Sequence, residues 1–197
     1  MKKALVATIL GLAASASVMA QGRINLNSYN TPSYPQITYG ANSGGTQGTP
    51  VLAASAITIG IYYAAGTVAG GSDPSGNGPS GSFASGFTLA TGTGSSTVIN
   101  TAGAGPGWFV SGPDFAIPGL VSGNATIIVV AYNGASYETS TIRGHSAAFN
   151  IVPAQGVATA PNLDGMGAFS IIGVPEPSTF ALAGLGLAGL LIFRRRK

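Results

Sequence analysis

The chain has 197 residues, no cysteine, one histidine and a formal net charge of +3. The lack of cysteine excludes disulfides and thiolate metal sites, and a single histidine excludes a multi-histidine metal centre. Six of the eight basic residues lie in the first three or last four positions, so residues 21–173, with two basic and four acidic residues, carry a net charge of −2. Nucleic-acid binding needs clustered lysine and arginine, and we therefore expect no nucleic-acid partner.

The first 20 residues have the order of a secretory signal peptide. Two lysines precede an apolar stretch at residues 4–14, and the small residues Val18 and Ala20 stand at the −3 and −1 positions of a cleavage site before Gln21. The apolar stretch is short for a membrane span, which takes about 20 residues. We therefore expect signal peptidase to cut between Ala20 and Gln21.

The body, residues 21–173, alternates short β-like runs with glycine-rich turns. β-branched and aromatic residues between glycine, asparagine and serine are typical of strands. The runs are residues 23–27, 56–64, 87–89, 96–100, 108–110, 125–132 and 147–152. No window has the pattern of a capped amphipathic helix. The body is therefore predicted to be one all-β domain, an antiparallel β-sandwich.

Residues 73–78 place oxygen-bearing side chains at positions 1, 3 and 5 and a glycine at position 6, as in the first half of an EF-hand loop. Position 12 is Ala84, where an EF-hand has a bidentate glutamate. The alternative is a surface turn built from turn-forming residues, which the missing glutamate favours. We predict no metal ligand and no cofactor.

Glu138, Arg143 and His145 are a close cluster of ionisable residues. With Ser136 as nucleophile, His145 as base and Glu138 as the orienting acid, they would give a hydrolase. The body has no Gly-x-Ser-x-Gly nucleophile elbow, and the simpler interpretation is one salt bridge beside a hairpin turn. We therefore predict no catalytic residue and expect that the protein is not an enzyme.

Aromatic side chains suit the faces of sugar rings. In the run 56–64, Ile57, Ile59 and Ile61 share one face, so Tyr62 points the other way and is predicted to be exposed. The aromatic residues that could stack on sugar rings are Tyr29, Tyr34, Tyr39, Tyr62, Tyr63, Tyr132, Tyr137 and Trp108. Among them, Tyr62 and Trp108 are the candidate glycan contacts. Ice binding would favour regular threonine ladders, and the sequence has none.

The last 24 residues combine three unlike elements in a fixed order. Val174 opens an extended Val-Pro-Glu-Pro segment that proline keeps out of helix interiors. Residues 179–193 are uncharged and would span roughly 22 Å as a helix, short of the ~30 Å hydrocarbon core. Residues 194–197 are all basic, which suits the cytoplasmic side of a membrane. The short helix indicates an anchor that is meant to be removed.

This order resembles the PEP-CTERM sorting signal of bacterial exported proteins, a tail also labelled an ice-binding-protein C-terminal segment. The resemblance implies recognition by an exosortase, an integral-membrane cysteine transpeptidase-like enzyme that would cut near residues 175–177 and discard the helix. The recognition residues would be Val174, Pro175, Glu176, Pro177, Arg194, Arg195 and Arg196. The chain is thus divided into a signal peptide (1–20), a β-rich extracellular domain (21–173) and a sorting signal (174–197).

These signals predict an exported, non-enzymatic protein whose C-terminal helix holds it transiently in the membrane. We expect it then to reach the cell surface or an extracellular polysaccharide matrix, with signal peptidase and exosortase as processing partners and exopolysaccharide as a further partner. The alternatives are a carbohydrate- or ice-binding module and a secreted hydrolase.

Overall fold

The computed structural model describes residues 21–29, 33–99 and 105–174. Within these residues the chain forms short and long strands, a 3₁₀ turn at Ala53–Ser55 and a one-turn helix, α1, at Ser80–Phe83. The strands are β1 (Arg23–Ile24), β2 (Ile37–Tyr39), β3 (Thr58–Ala65), β4 (Thr88–Leu89), β5 (Ser96–Val98), β6 (Phe115–Ala116), β7 (Ala125–Tyr132), β8 (Ile142–His145), β9 (Phe149–Ile151) and β10 (Phe169–Gly173). The all-β prediction is confirmed. The predicted signal peptide and residues 175–197 of the sorting signal lie outside the described residues.

The centre of the fold is the antiparallel pair β3 and β7, each eight residues long. Their register runs without interruption from Thr58 opposite Tyr132 to Ala65 opposite Ala125. Both strands are rich in isoleucine and valine, whose branched side chains pack well on a pleated sheet. The predicted run 125–132 is confirmed at both ends, and the run 56–64 begins two residues later and ends one residue later than predicted.

One large sheet holds eight strands in the order β2-β10-β8-β7-β3-β4, with β5 also paired to β3 and β9 to β7. A second sheet consists of β1 and β6. All of these pairs are antiparallel except β2 with β10, which is parallel. The prediction of a purely antiparallel sandwich is therefore wrong at this edge. The two strands come from opposite ends of the domain, so no hairpin fixes their relative direction.

The main core lies between the large sheet and the small one. Leu26 next to β1 and Phe115 and Ile117 of the β6 segment belong to the same buried cluster as Ile59 of β3 and Ile127 of β7. Full burial of a side chain of this size contributes about 1.5–3 kcal/mol. The small sheet therefore acts as the second layer of a two-layer arrangement.

The opposite face of the large sheet is also covered. Tyr62 of β3 and Ile128 and Val130 of β7 pack against Phe83 of α1 and Tyr137 of the β7–β8 connection. The segment that follows β3 thus lies over this face instead of extending into solvent. This packing on the opposite face of the large sheet positions the charged residues described below.

The predicted run 108–110 is not a strand, since only Val110 forms an isolated bridge, with Asn27. No helix in the described part of the chain is long and apolar enough to cross a membrane.

Candidate functional site

The turn at residues 73–78 is built around the carboxylate of Asp73. Its Oδ1 accepts hydrogen bonds from the backbone N–H and the hydroxyl of Ser75. Its Oδ2 accepts the N–H of Gly78 at 2.6 Å and lies 3.0 Å from Nε2 of His145. Both carboxylate oxygens are thus engaged within the protein, as in a side-chain-stabilised turn and unlike half of an EF-hand loop. The described residues contain no group of three or more acidic, histidine or cysteine side chains placed to hold a metal ion.

The pKa of Asp73 reflects two opposing effects. Burial of the carboxyl raises the pKa, but hydrogen bonds from Ser75, His145 and Gly78 outweigh burial and lower it to about 2, from an ordinary value of 3.8. The native state therefore favours the ionised form more strongly than the unfolded chain does.

We expect Asp73 to contribute about 1–2 kcal/mol of stability above pH 4, and this contribution to disappear as the pH falls towards 2. Urea unfolding of the wild type and Asp73→Asn, repeated from pH 6 to pH 2, measures it. The difference in unfolding free energy should be largest near pH 6 and should shrink towards pH 2. Asp164→Asn, at an exposed aspartate, is the control. A wild type–Asp73→Asn difference that is the same at both ends of this range would contradict the prediction.

His145, at the end of β8, has contacts at both ring nitrogens and on a face of its ring. Its Nε2 faces Asp73, its Nδ1 lies 2.9 Å from the carbonyl oxygen of Ser146, and its ring stacks on Phe83 with centroids 3.7 Å apart. The side chains of His145 and Asp73 are only 8% and 7% exposed. Both ring nitrogens face acceptors, whereas a general base needs one nitrogen directed at the nucleophile. Ser136 instead shares a 2.8 Å hydrogen bond with Thr139.

Arg143 is buried and bonds mainly to backbone. Its Nε donates to the carbonyl oxygen of Asn77 at 2.8 Å, and its Nη1 donates to those of Tyr137 and Glu138 at 3.0 and 2.8 Å. The guanidinium carbon lies 5.0 Å from the ring centroid of Tyr137. The predicted salt bridge with Glu138 is present, but it is 3.7 Å long and the carboxylate is 45% exposed. The main role of Arg143 is therefore to bind backbone carbonyl oxygens. The sequence did not predict these contacts.

Tyr137 and Glu138 complete this network. The hydroxyl of Tyr137 donates to the carbonyl oxygen of Gly78 at 3.2 Å, and burial raises the pKa of this phenol well above its usual range. The carboxylate of Glu138 accepts the N–H of Ser80 at 2.8 Å. We call the network of Asp73, Tyr137, Glu138, Arg143 and His145 the clasp. It fastens residues 73–80 to β8 and the turn before it.

The two predicted glycan contacts have different outcomes. Tyr62 is buried, and its ring packs edge to face on Phe83 with centroids 6.0 Å apart. The prediction that Tyr62 is exposed is wrong because the segment after β3 covers the second face of the sheet. Trp108 is half-buried at the surface.

Trp108 lies in a cluster with Tyr29 and Tyr34, two of the aromatic residues that the sequence also offered as sugar contacts. The ring of Tyr29 lies edge to face with both, at centroid distances of 5.6 Å to Trp108 and 5.9 Å to Tyr34. The indole N–H of Trp108 donates to the carbonyl oxygen of Tyr34 at 3.1 Å. Tyr34 is 54% exposed. We call these three rings the aromatic platform.

The predicted sorting residues meet the fold at Val174. Its N–H donates to the carbonyl oxygen of Thr141 at 2.7 Å, and that of Gly173 donates to Ala41 at 2.8 Å. The backbone is therefore tied down to the residue before Pro175. At the other end, the N–H of Gly22, which follows Gln21, donates to the carbonyl oxygen of Leu120 at 2.6 Å. The other predicted sorting and cleavage residues lie outside the described part of the chain. They are the recognition residues Pro175, Glu176, Pro177, Arg194, Arg195 and Arg196 and the cleavage residue Ala20.

Comparison with protein families identifies the tail. Residues 173–197 match the model of the PEP-CTERM protein-sorting motif. The match begins at the last residue of β10 and continues to the last residue of the chain. Comparisons with curated proteins and with solved structures give no match.

Proposed function

We propose that this chain, which carries a PEP-CTERM sorting motif at residues 173–197, is a non-enzymatic component of the cell surface or of an extracellular polysaccharide matrix. The motif is the mark of an exported protein that exosortase processes at the membrane. In the proposed route, signal peptidase removes residues 1–20 and exosortase cuts near residues 175–177. The sorting motif is the observation that carries the proposal.

The clasp supports a structural role for the body. Its charged side chains are used to fasten one segment of the protein to another, and the imidazole of His145 has acceptors at both nitrogens. Removal of the two ends would also remove six of the eight basic residues and leave a weakly acidic domain. Such a domain suits uncharged polymers better than polyanions.

Cell fractionation tests the proposed location. Cells that produce the wild type are compared with cells that produce a variant truncated after Val174, with an intact signal sequence in both. The wild type is expected in the cell-surface or matrix fraction, and the truncated chain in the culture medium, because it lacks the segment that delivers it to exosortase. Asp164→Asn, a change at an exposed position of the body, should be distributed as the wild type. The same distribution for the wild type and the truncated chain would contradict the proposal.

A further inference from the structure

We propose that the aromatic platform of Tyr29, Tyr34 and Trp108 binds a neutral polysaccharide chain. This inference rests on the proposed function in one respect, since a matrix location supplies such a polymer. It adds a binding site and a ligand class to that function.

The platform is rigid on the side of Trp108. The indole N–H donates a hydrogen bond to the carbonyl oxygen of Tyr34, which restrains the orientation of the ring. Next to it, Gly107 donates to the carbonyl oxygen of Val51 at 2.7 Å and accepts the N–H of Ile37 at 2.8 Å. Gly107 has a φ of +77°, and a Cβ there would lie 2.8 Å from the backbone oxygen of Ile37. The position therefore favours glycine. The backbone bonds of Gly107 hold the neighbouring Trp108 in place before a ligand binds.

Tyr34 also has an unusual backbone conformation. Its φ of +45° is in the left-handed region, which is unfavourable for a residue with a side chain. The residue is nevertheless 54% exposed, so packing in a core does not explain the conformation. Residues held in such conformations cluster at functional sites, and here the residue also presents an aromatic side chain.

The chemistry of the platform favours sugar over other ligands. Aromatic rings pack against the C–H faces of pyranose rings, and the indole N–H is already satisfied, so ring faces and edges provide the contact. Residues 24–72, which include Tyr29 and Tyr34, contain no charged side chain, and neither do residues 74–113, which include Trp108. The chain segments that form the platform therefore supply no charged group for a charged ligand. Gln36, whose Nε2 donates to the carbonyl oxygen of Pro106 at 3.2 Å, adds an amide group close to the Trp108 loop.

Affinity electrophoresis of the full-length chain in detergent tests this inference. Gels contain dextran, a soluble mixed-linkage β-glucan or galactomannan as neutral probes, and alginate as a polyanion. The wild type is expected to be retarded by at least one neutral polymer and not by alginate. We expect Trp108→Ala to weaken that binding about tenfold or more and Trp108→Phe to retain part of it, because phenylalanine restores an aromatic face.

Tyr34→Gly separates binding from folding. Glycine tolerates the left-handed backbone of this position, so the variant should keep a melting temperature close to that of the wild type while losing an exposed ring. Val157→Ala, at an apolar side chain that is 97% exposed elsewhere on the domain, is the matched control and should bind as the wild type does.

Three results would overturn the inference. The first is no retardation of the wild type by any neutral probe. The second is equal retardation of the wild type, Trp108→Ala and Tyr34→Gly. The third is retardation of the wild type by alginate as strong as by any neutral polymer. Failure of the platform would leave the fractionation result unchanged. Failure of the sorting proposal would leave polysaccharide binding by the purified chain unchanged, so the two can be told apart.

Discussion

Replacement of Arg143 by alanine is expected to lower the free energy of unfolding by about 2–4 kcal/mol, because the buried guanidinium and its hydrogen bonds to the backbone are lost. Three backbone carbonyl oxygens, those of Asn77, Tyr137 and Glu138, would lose their donor. The bond to Tyr137 is buried, and a buried acceptor left without a partner costs about 1–3 kcal/mol, whereas the other two bonds are only partly buried and contribute less. The ring of Tyr137 would also lose its contact with the guanidinium. Urea unfolding of the full-length chain at neutral pH measures the effect.

Two further variants show which contact of Arg143 matters. Arg143→Lys keeps the charge, but an ammonium has a single nitrogen where the guanidinium uses two. The variant should therefore recover only part of the unfolding free energy that Arg143→Ala loses. Glu138→Gln removes the charge of the long, exposed ion pair and keeps an acceptor for Ser80, so it should cost less than about 1 kcal/mol. Equal losses for Arg143→Ala and Glu138→Gln would show that the salt bridge, and not the backbone contacts, is the stabilising element.

Replacement of Pro175, Glu176 and Pro177 together by alanine is expected to abolish processing of the tail. Proline fixes an extended backbone, and three alanines would let the following apolar segment continue as a helix across the recognition site. The body should fold normally, because β10 ends at Gly173 and Val174 is bonded to Thr141. Pulse-labelled cells should show the short, mature form of the wild type and only the longer precursor of the variant.

Thr179→Ala is the matched control for this triple variant. It lies just beyond the Val-Pro-Glu-Pro segment and leaves both prolines and the glutamate in place. We expect the wild-type rate of processing. Conversion of the triple variant to the mature form at the rate of the wild type would show that these residues are not recognised.

The central strands could be predicted from the sequence, whereas some of their neighbours could not. β7 is a run of alanine, threonine, isoleucine, valine and tyrosine, whose local preference agrees with its final place. β8 contains arginine, glycine and histidine, which do not indicate a strand locally. It is a strand because it pairs with β7 on one side and β10 on the other. His145 pairs with Asp73, 72 positions earlier in the chain. A Cβ at position 144 would lie 2.1 Å from the backbone oxygen of Ser170, so the adjacent strand requires the glycine.

The candidate sites show the same limit. The alternation of β3 correctly placed Tyr62 opposite the isoleucines, but burial depends on what covers that face, and α1 with its flanking loops covers it. Glu138, Arg143 and His145 could be predicted as one cluster because they are close along the chain. Asp73 joins them only through the fold. Trp108 was identified by its residue type, yet its neighbour Tyr34 is 74 positions away.

Mass spectrometry of the intact protein, recovered from the cell surface, tests the sorting claim most directly. We predict a chain that begins at Gln21 and ends within residues 174–177, with the apolar segment and the four basic residues at 194–197 removed. A mature protein that still ends in Arg-Arg-Arg-Lys would contradict it.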